Sequence, residues 1–591
     1  MARQAKVEGE RRTRQYGYWR AASLIGVYLF MGLHIAHWKI AGKTLAPLEL
    51  NEVMYTLELG ILTAGFIFMI LAMISVLIVG RFFCSWGCHI LALEDLSSWL
   101  LEKIGIRPKP VRLRTLLLVP PGAMFYMFVW PQISRLIDGR EMPVLHITTD
   151  ESGWASFITD DFWRNLPGPG VIIFTFFVVG FLIVYLLGSR SFCRYVCPYG
   201  ALFSLADRVA PGKIVALGDC TQCGICTAKC SSDIRVHEEL TVFGKVVSPS
   251  CLKDLDCVSS CPQGAIGFGF TKPSFFKSWK RADGVKKPRY DFSLLEEGVM
   301  VLVFLFVFFA LRGLYDIFPF MLSMALAVIF SFATLKAIRL IYAEHVRLNN
   351  FQLKIQNKVT RSGSIFALLA LVLAGLTAHS AFIRYHEFSG WRAVRMLEHP
   401  EANGENFDGT ATVEDALMHL SAANQWGLHS PPKLIEKLGE LRVAAAQSVA
   451  DQGNPDQAIE QLLTIIEAYP DLAIAHYNLG GLFALAGREP EAIVQFEESL
   501  RLNKNDPDTW NTLGYLLLNQ NRFENAEYCF RAAIERDTEF AHPHFNLARL
   551  LANQGRIDEA EFHLMQAVKL DPETYGQFVT GGGGGMGSPA P

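Results

Sequence analysis

Four cysteines, Cys220, Cys223, Cys226 and Cys230, stand within the eleven residues CTQCGICTAKC. Thiolates are soft ligands and suit iron–sulfur clusters, zinc or copper(I) better than hard cations. Two-residue loops let three thiolates wrap one face of a four-iron cubane, whereas a structural zinc site uses two separated pairs. The crowding therefore points to iron and sulfide. Eleven of the twelve cysteines lie between Cys84 and Cys261. That clustering suggests metal ligation and not a disulfide framework, which belongs to oxidising compartments.

A second run, CLKDLDCVSSCP, repeats the spacing with one change. Cys251, Cys257 and Cys261 hold positions one, three and four, and Asp254 holds position two. Both runs resemble the C-x2-C-x2-C-x3-C run of bacterial ferredoxins, in which the fourth cysteine serves the other cluster. On that rule one cluster takes Cys220, Cys223, Cys226 and Cys261. The other takes Cys230, Cys251 and Cys257, with or without Asp254. A carboxylate is a harder and weaker ligand for a soft site. The second centre is thus expected to be a 4Fe-4S cluster with a labile corner, or a 3Fe-4S cluster with Asp254 a solvated loop residue beside it. Pro262 follows Cys261 as in ferredoxins, while Ser231 stands where the first run would have proline.

Two more pairs sit in RFFCSWGCHILALEDL (81–96) and RSFCRYVCPYGALFSL (190–205). These are copies at an offset of 109. Arg81, Phe83, Cys84, Cys88, Ala92, Leu93 and Leu96 map onto Arg190, Phe192, Cys193, Cys197, Ala201, Leu202 and Leu205. Cysteines at i and i+4 share one helix face, so two such helices would bring the four thiols together. The quartet suits a third iron–sulfur cluster, a copper ion or a reversible dithiol pair. Small buried hydrophobes are the plain alternative, but they do not explain why the pattern occurs twice.

His34 and His37 share a face near the end of the first apolar run, and His379 lies at similar depth in the last. Ligating groups at membrane depth carry a functional expectation. Contact with a quinone and axial ligation of a b-type haem both fit. The competing structural reading is interfacial histidine beside Trp38.

These residues need a scaffold, and the composition names it. Mean hydropathy is +0.24, too apolar for an ordinary soluble protein. Runs of about 20 apolar residues read as membrane helices. Seven are expected, near 18–40, 57–79, 113–131, 170–188, 297–312, 318–341 and 363–384, with six as the fallback. Pro120–Pro121 should kink or break the third. Arg11, Arg12, Arg14 and Arg20, then Lys103 to Arg114, Lys277 to Arg289 and Arg347 to Arg361, all fall on one side. The positive-inside rule makes that side the cytoplasm of a bacterial inner membrane. No cleavable signal peptide is expected, because no small-residue cleavage site follows the first apolar run. No P-loop is present, and nothing indicates a nucleic-acid partner.

Across residues 15–345 the chain resembles the membrane polyferredoxins of the NapH, NosR and CcoG type. The resemblance rests on two Cys-x3-Cys pairs at membrane-helix ends followed by a double ferredoxin run. Cys193, Cys197 and Pro198 match the usual Cys-x3-Cys-Pro; at Cys84 and Cys88, His89 replaces the proline. The resemblance implies electron transfer between the quinone pool, cytoplasmic clusters and other redox subunits. It implies at most an electron-transfer subunit of an oxidoreductase complex.

The last third differs. Gly453, Gly487, Asn521 and Gly555 recur every 34 residues, as do Ala458, Ala492, Ala526 and Ala560. Leu479–Gly480 returns as Leu513–Gly514 and Leu547–Ala548. This resembles the tetratricopeptide repeat, whose units bury their faces only against their neighbours. About four repeats are expected, forming a right-handed solenoid that binds a protein segment, with Cys529 in its core.

The expected fold class is mainly α: a polytopic helical membrane bundle, an inserted bacterial ferredoxin-like double-cluster domain and a repeat solenoid. The expected parts are a four-span membrane region 1–189, the cluster region 190–295 and a three-span membrane region 296–391. The repeats at 392–577 and a flexible Gly-rich tail at 578–591 follow. Clusters are expected in the cytoplasm and repeats in the periplasm. The rival function is an assembly factor that handles or reduces copper for a client metalloenzyme held by the repeats.

Overall fold

A computed structural model describes the chain apart from residues 1, 47–51, 138, 140, 149–155, 164–167, 274–289, 400–408 and 581–591. The basic stretch Lys277–Arg289 and most of the Gly-rich tail lie outside the described residues. The chain divides into two compact units, Met1–Ala381 and Phe382–Pro591.

Among the described residues six helices are long and apolar enough to cross a membrane: Tyr16–Ala41, Thr115–Ile137, Pro169–Leu187, Leu294–Leu311, Phe320–Tyr342 and Arg361–Glu398. The expected second span is a shorter helix, Ala64–Val79, of 16 residues. Its rise of about 24 Å falls short of a hydrocarbon core of about 30 Å. It still runs from one end of the first unit to the other. At its start, Thr44–Leu45 pairs with Ile158–Thr159 and Ile61 bridges His146. Just past its end, Arg81 N–H donates to Asp207 at the cysteine-rich end. Arg20, near the start of the first span, is at that end too, paired with Asp95 and Asp256.

Phe320–Tyr342 is central, with 61% of its apolar window buried against 6% for the first and last spans. Those two carry exposed Leu29, Phe30, Leu368 and Leu371, the surface a lipid would cover.

Pro120 and Pro121 do not break the third span. A 3-10 turn, Thr115–Leu118, leads into the α-helix Val119–Met124 with both prolines in its first turn. A missing N–H there has no helical partner to lose. A π stretch, Phe125–Val129, carries the helix on to Trp130–Ile137.

A three-stranded antiparallel sheet, Val346–Leu348, Phe351–Ile355 and Lys358–Val359, joins the last two spans. It was not expected from the sequence. Its turn signals are Asn349 and Gln356–Asn357, all at positive φ.

In the second unit the helix Gly409–Trp426 comes ahead of the repeating pairs. Antiparallel pairs follow: Pro432–Asp451 with Pro455–Ala468, Ala473–Leu485 with Glu489–Leu502, Pro507–Asn519 with Phe523–Arg536, and Ala541–Asn553 with Ile557–Leu570. Gly480 and Gly514 sit where helices touch. A Cβ at Gly514 would meet the Phe530 ring at 2.8 Å. Cys529 is in this core, 3% exposed.

Candidate metal centres

The two ferredoxin-type loops follow one backbone course. The strands Gly212–Ala216 and Ile266–Phe270 pair antiparallel and close the segment that contains both. Equivalent residues lie 31 apart. Gln222 and Lys253 both have positive φ, 54° and 58°. Gly224 and Leu255 are both left-handed and each starts a one-turn helix, Ile225–Ala228 or Asp256–Ser259, that carries the third cysteine. A Cβ in that region costs about 1–2 kcal/mol. Leu255 offsets this by burial in the core around Cys251 and Cys257.

Cys220, Cys223, Cys226 and Cys261 line one pocket with His237. This is the set expected for the first centre, drawn from both loops. His237 carried no sequence signal. Thr227 holds it, with Oγ1 2.6 Å from Nδ1. On the other side Cys230, Cys251, Cys257 and Asp254 are neighbours. Burial pushes the Cys230 thiol up to about 12, with Asp254 and Cys251 adding to the shift. The Cys257 thiol is raised by burial, then by Cys251, Asp254 and Cys230.

Asp254 is 7% exposed, so it is not a solvated loop residue. Ser231 Oγ donates to its Oδ2 at 2.5 Å, and the Asp256 N–H donates to its Oδ1 at 3.3 Å. The chain departs from the ferredoxin pattern at Ser231 and Asp254, and the two departures touch.

The quartet also converges, though not as two i, i+4 helix faces. Cys84 lies in the one-turn helix Phe82–Trp86, and Cys88 caps the next helix, His89–Lys103. Likewise Cys193 lies in Ser191–Tyr195 and Cys197 caps Pro198–Val209. Gly87 and Pro198 account for the breaks: the first ends one helix and the second starts another. All four thiols pack in one core with Leu91, Tyr199, Phe203 and Leu252. Burial pushes Cys88 up to about 11 and Cys197 up to about 12. Such thiols stay protonated until a metal's charge ionises them.

Charged groups surround the quartet. Glu94, fully buried, accepts from the Phe192 N–H at 3.1 Å and lies 3.8 Å from Cys193 Sγ. Burial pushes its carboxyl up to about 7. Asp207 takes Lys213 Nζ at 2.8 Å and Lys253 Nζ at 2.6 Å, and accepts from the Arg81 N–H at 3.1 Å. Three buried cations thus stand around one carboxylate.

The quartet and the second loop are in direct contact. Ser85 Oγ donates to the Leu252 carbonyl at 2.8 Å, and Trp86 Nε1 donates to that of Lys253 at 3.1 Å. Phe82 packs with the ferredoxin core while Phe83 packs with the quartet. Cys251 and Leu252 divide in the same way.

The membrane histidines lie elsewhere. His34 Nε2 is 3.0 Å from the Leu45 carbonyl, and His37 Nδ1 is 3.1 Å from Thr44 Oγ1. Both brace the loop after the first span, at the end opposite the cysteines. His379 lies within the last long helix. Among the described residues no three His, Cys, Asp or Glu side chains converge on a single metal ion. A cubane asks for something different, since its thiolates bind separate irons.

A family model described as a 4Fe-4S binding domain matches residues 61–107 and 170–215, the regions of the two Cys-x3-Cys pairs. A tetratricopeptide-repeat model matches 443–508 and 511–573. YccM of Escherichia coli is 25% identical over 231 residues, 36% of this chain and 57% of YccM. The chain thus spans little more than half the length of that relative. The methylamine utilization ferredoxin-type protein MauN of Methylorubrum extorquens is 26% identical over 42% of this chain and 82% of its own. The ferredoxin-type protein NapH of Haemophilus influenzae is 21% identical over 45% and 97%. The crystal structure of MamA covers 29% of this chain and 98% of its own at 18% identity, with a TM-score of 0.23. The chain thus joins a region with two matches to a 4Fe-4S binding domain, similar to the ferredoxin-type proteins MauN and NapH and to the putative electron transport protein YccM, to a C-terminal set of tetratricopeptide repeats.

Proposed function

We propose that this chain passes electrons between the quinone pool and a partner redox protein, using three iron–sulfur centres. One centre is held by Cys220, Cys223, Cys226 and Cys261. A second is held by Cys230, Cys251 and Cys257, with Asp254 at its fourth corner. A third is held by Cys84, Cys88, Cys193 and Cys197. Bound iron–sulfur clusters take up and release single electrons at potentials set by charge, hydrogen bonds and exposure.

The observation that carries the reading is the contact of Ser85 and Trp86 with Leu252 and Lys253. It sets the thiols at the membrane boundary against the loop of the second centre, as a relay requires. The buried cations point the same way. Arg81, Lys213 and Lys253 outnumber Asp207 and suit an anionic cluster. Ser231 and Arg190 hold Asp254 in place beside the second centre.

The basic residues at the cysteine end support a cytoplasmic location for the clusters. Counting Ala64–Val79 as a seventh span then puts the repeats in the periplasm. There they would dock a protein partner, while quinone exchange with the bilayer feeds or drains the quartet.

The double variant Cys193→Ser, Cys197→Ser tests this reading. Purified under argon, it should keep about six or more irons in the ferredoxin loops and lose quinol-linked redox change of those clusters. Retained quinol-linked electron flow, with loss only of copper binding or of client maturation, would replace the relay with the assembly-factor reading.

A further inference from the structure

The cysteine end of the first unit also holds a cavity of about 220 Å³, between the start of the span at Thr115, the helix Pro198–Val209 and the loop before Cys251. It is larger than a single water needs. Of the four quartet thiols, only Cys193 borders it. Its polar lining includes Arg81, Arg190 and Ser232, and its apolar lining includes Leu117 and Leu205. Those two leucines are 43% and 54% exposed, and Leu117 opens the span Thr115–Ile137.

Arg81 and Arg190 are the repeat-related residues three places before the first cysteine of each pair. The internal repeat therefore delivers two guanidinium groups to one cavity. Arg81 is 5% exposed, and the Arg190 side chain 3%. Their neighbours do not use all their donors. Arg190 Nε donates to Ser231 Oγ at 3.1 Å. Its NH1 lies 2.7 Å from Asp95 Oδ1 and its NH2 3.9 Å from Asp254 Oδ2. Neither nitrogen is aligned for a hydrogen bond. Arg81 NH1 donates to the Pro249 carbonyl at 3.2 Å, while its Nε is unmatched. The Ser232 hydroxyl is unmatched too.

Buried donors left without an aligned acceptor carry a desolvation cost. Two guanidinium forks and a hydroxyl call for a ligand rich in acceptor oxygens and negative charge. The apolar mouth suits one that carries hydrocarbon. Basic pockets beside membrane helices bind acidic headgroups for these reasons.

We infer that this cavity binds a phosphate-type oxyanion, either the headgroup of an acidic phospholipid or free phosphate. The site does not rest on the electron-transfer reading: it borders the quartet at Cys193, but its ligand is an oxyanion held by guanidinium and hydroxyl donors and takes no electron.

The test uses the delipidated full chain in nanodiscs of phosphatidylglycerol or of phosphatidylcholine, with retained lipid counted by native mass spectrometry. A second arm adds inorganic phosphate and follows thermal protection. Arg190→Gln removes a donor. Since Arg190 also braces the cysteine loops, Ser204→Phe, which fills the cavity and leaves the charges, is run beside it with iron content as control. One phosphatidylglycerol should be retained about tenfold better than phosphatidylcholine. Both variants should lose that preference, and Ser204→Phe should keep its iron. Phosphate protection without lipid preference, abolished by Ser204→Phe, assigns the oxyanion to the soluble pool. Equal retention of the two lipids with no phosphate protection overturns the proposal. So does a preference untouched by Ser204→Phe.

Discussion

The two ferredoxin-type loops share a backbone and differ in their surroundings. In the first, Thr221, Gln222 and Cys223 are exposed; in the second, all five residues from Cys251 to Leu255 are buried. Gln222 faces solvent, while its equivalent Lys253 reaches Asp207 beneath the membrane helices. Cys223 faces solvent, while its equivalent Asp254 is held by Ser231. One loop is open to solvent, and the other is packed against the residues around Asp207. A single loop design thus acquires two settings from what packs against it.

The sharpest way to break this comparison is Asp207→Asn. It leaves Lys213 and Lys253 buried with no carboxylate, a loss on the order of 3–5 kcal/mol. Gln222→Ala, at the position matching Lys253, should change stability by no more than about 0.5 kcal/mol. Thermal unfolding of the two variants in detergent checks the contrast. Similar melting shifts would show that the second loop is not clamped as described.

Asp254→Cys makes the loops alike. On the proposed ligand sets Asp254 holds the fourth iron more weakly than a thiolate would, so the variant should keep that iron through purification where the parent loses it, moving a three-iron EPR signal towards a four-iron one. An unchanged spectrum and iron count would remove Asp254 from the corner.

The repeats offer the same logic of equivalent positions at smaller scale. His544 and His563 face each other with Nδ1 atoms 3.0 Å apart. Two repeats earlier the matching pair is His476 and Gln495, at 2.8 Å. Burial, then His544, holds His563 down at about 4, below the ordinary value near 6.5. Between those values the unfolded chain binds the extra proton. Stability is therefore full above about pH 6.5 and falls as pH drops towards 4. His563→Gln should recover about 2 kcal/mol of that loss, read as a smaller melting difference between pH 7.5 and pH 5. An unchanged difference would show that this pair does not set the pH response.

Some of this was legible early because the signal was local. The 34-residue period located the helix pairs, since each unit repeats the same contacts, and Gly514 against Phe530 shows why a small residue recurs. The grouping of Cys261 with Cys220, Cys223 and Cys226 was an expectation from the ferredoxin-type runs, and those four cysteines line one pocket. Other features were misread for local reasons. Pro120–Pro121 looked like a break because a proline in mid-helix is one, but a 3-10 lead-in moved both prolines to a first turn. The 346–359 sheet was missed because its strands have two to five residues. The burial of Asp254 was hidden because a lone acidic loop residue reads as solvated.

What the sequence alone determined was spacing and register: which cysteines stand at ferredoxin-like intervals, which segments are apolar enough for a bilayer, and which residues repeat. These properties depend on neighbours along the chain. Tertiary structure alone decided which of two equivalent loops is buried, how Arg81 and Arg190 come to line one cavity, and that Ser231 meets Asp254. Those outcomes depend on contacts between residues tens to more than a hundred positions apart, and burial is the property that a residue's own type and near neighbours specify least.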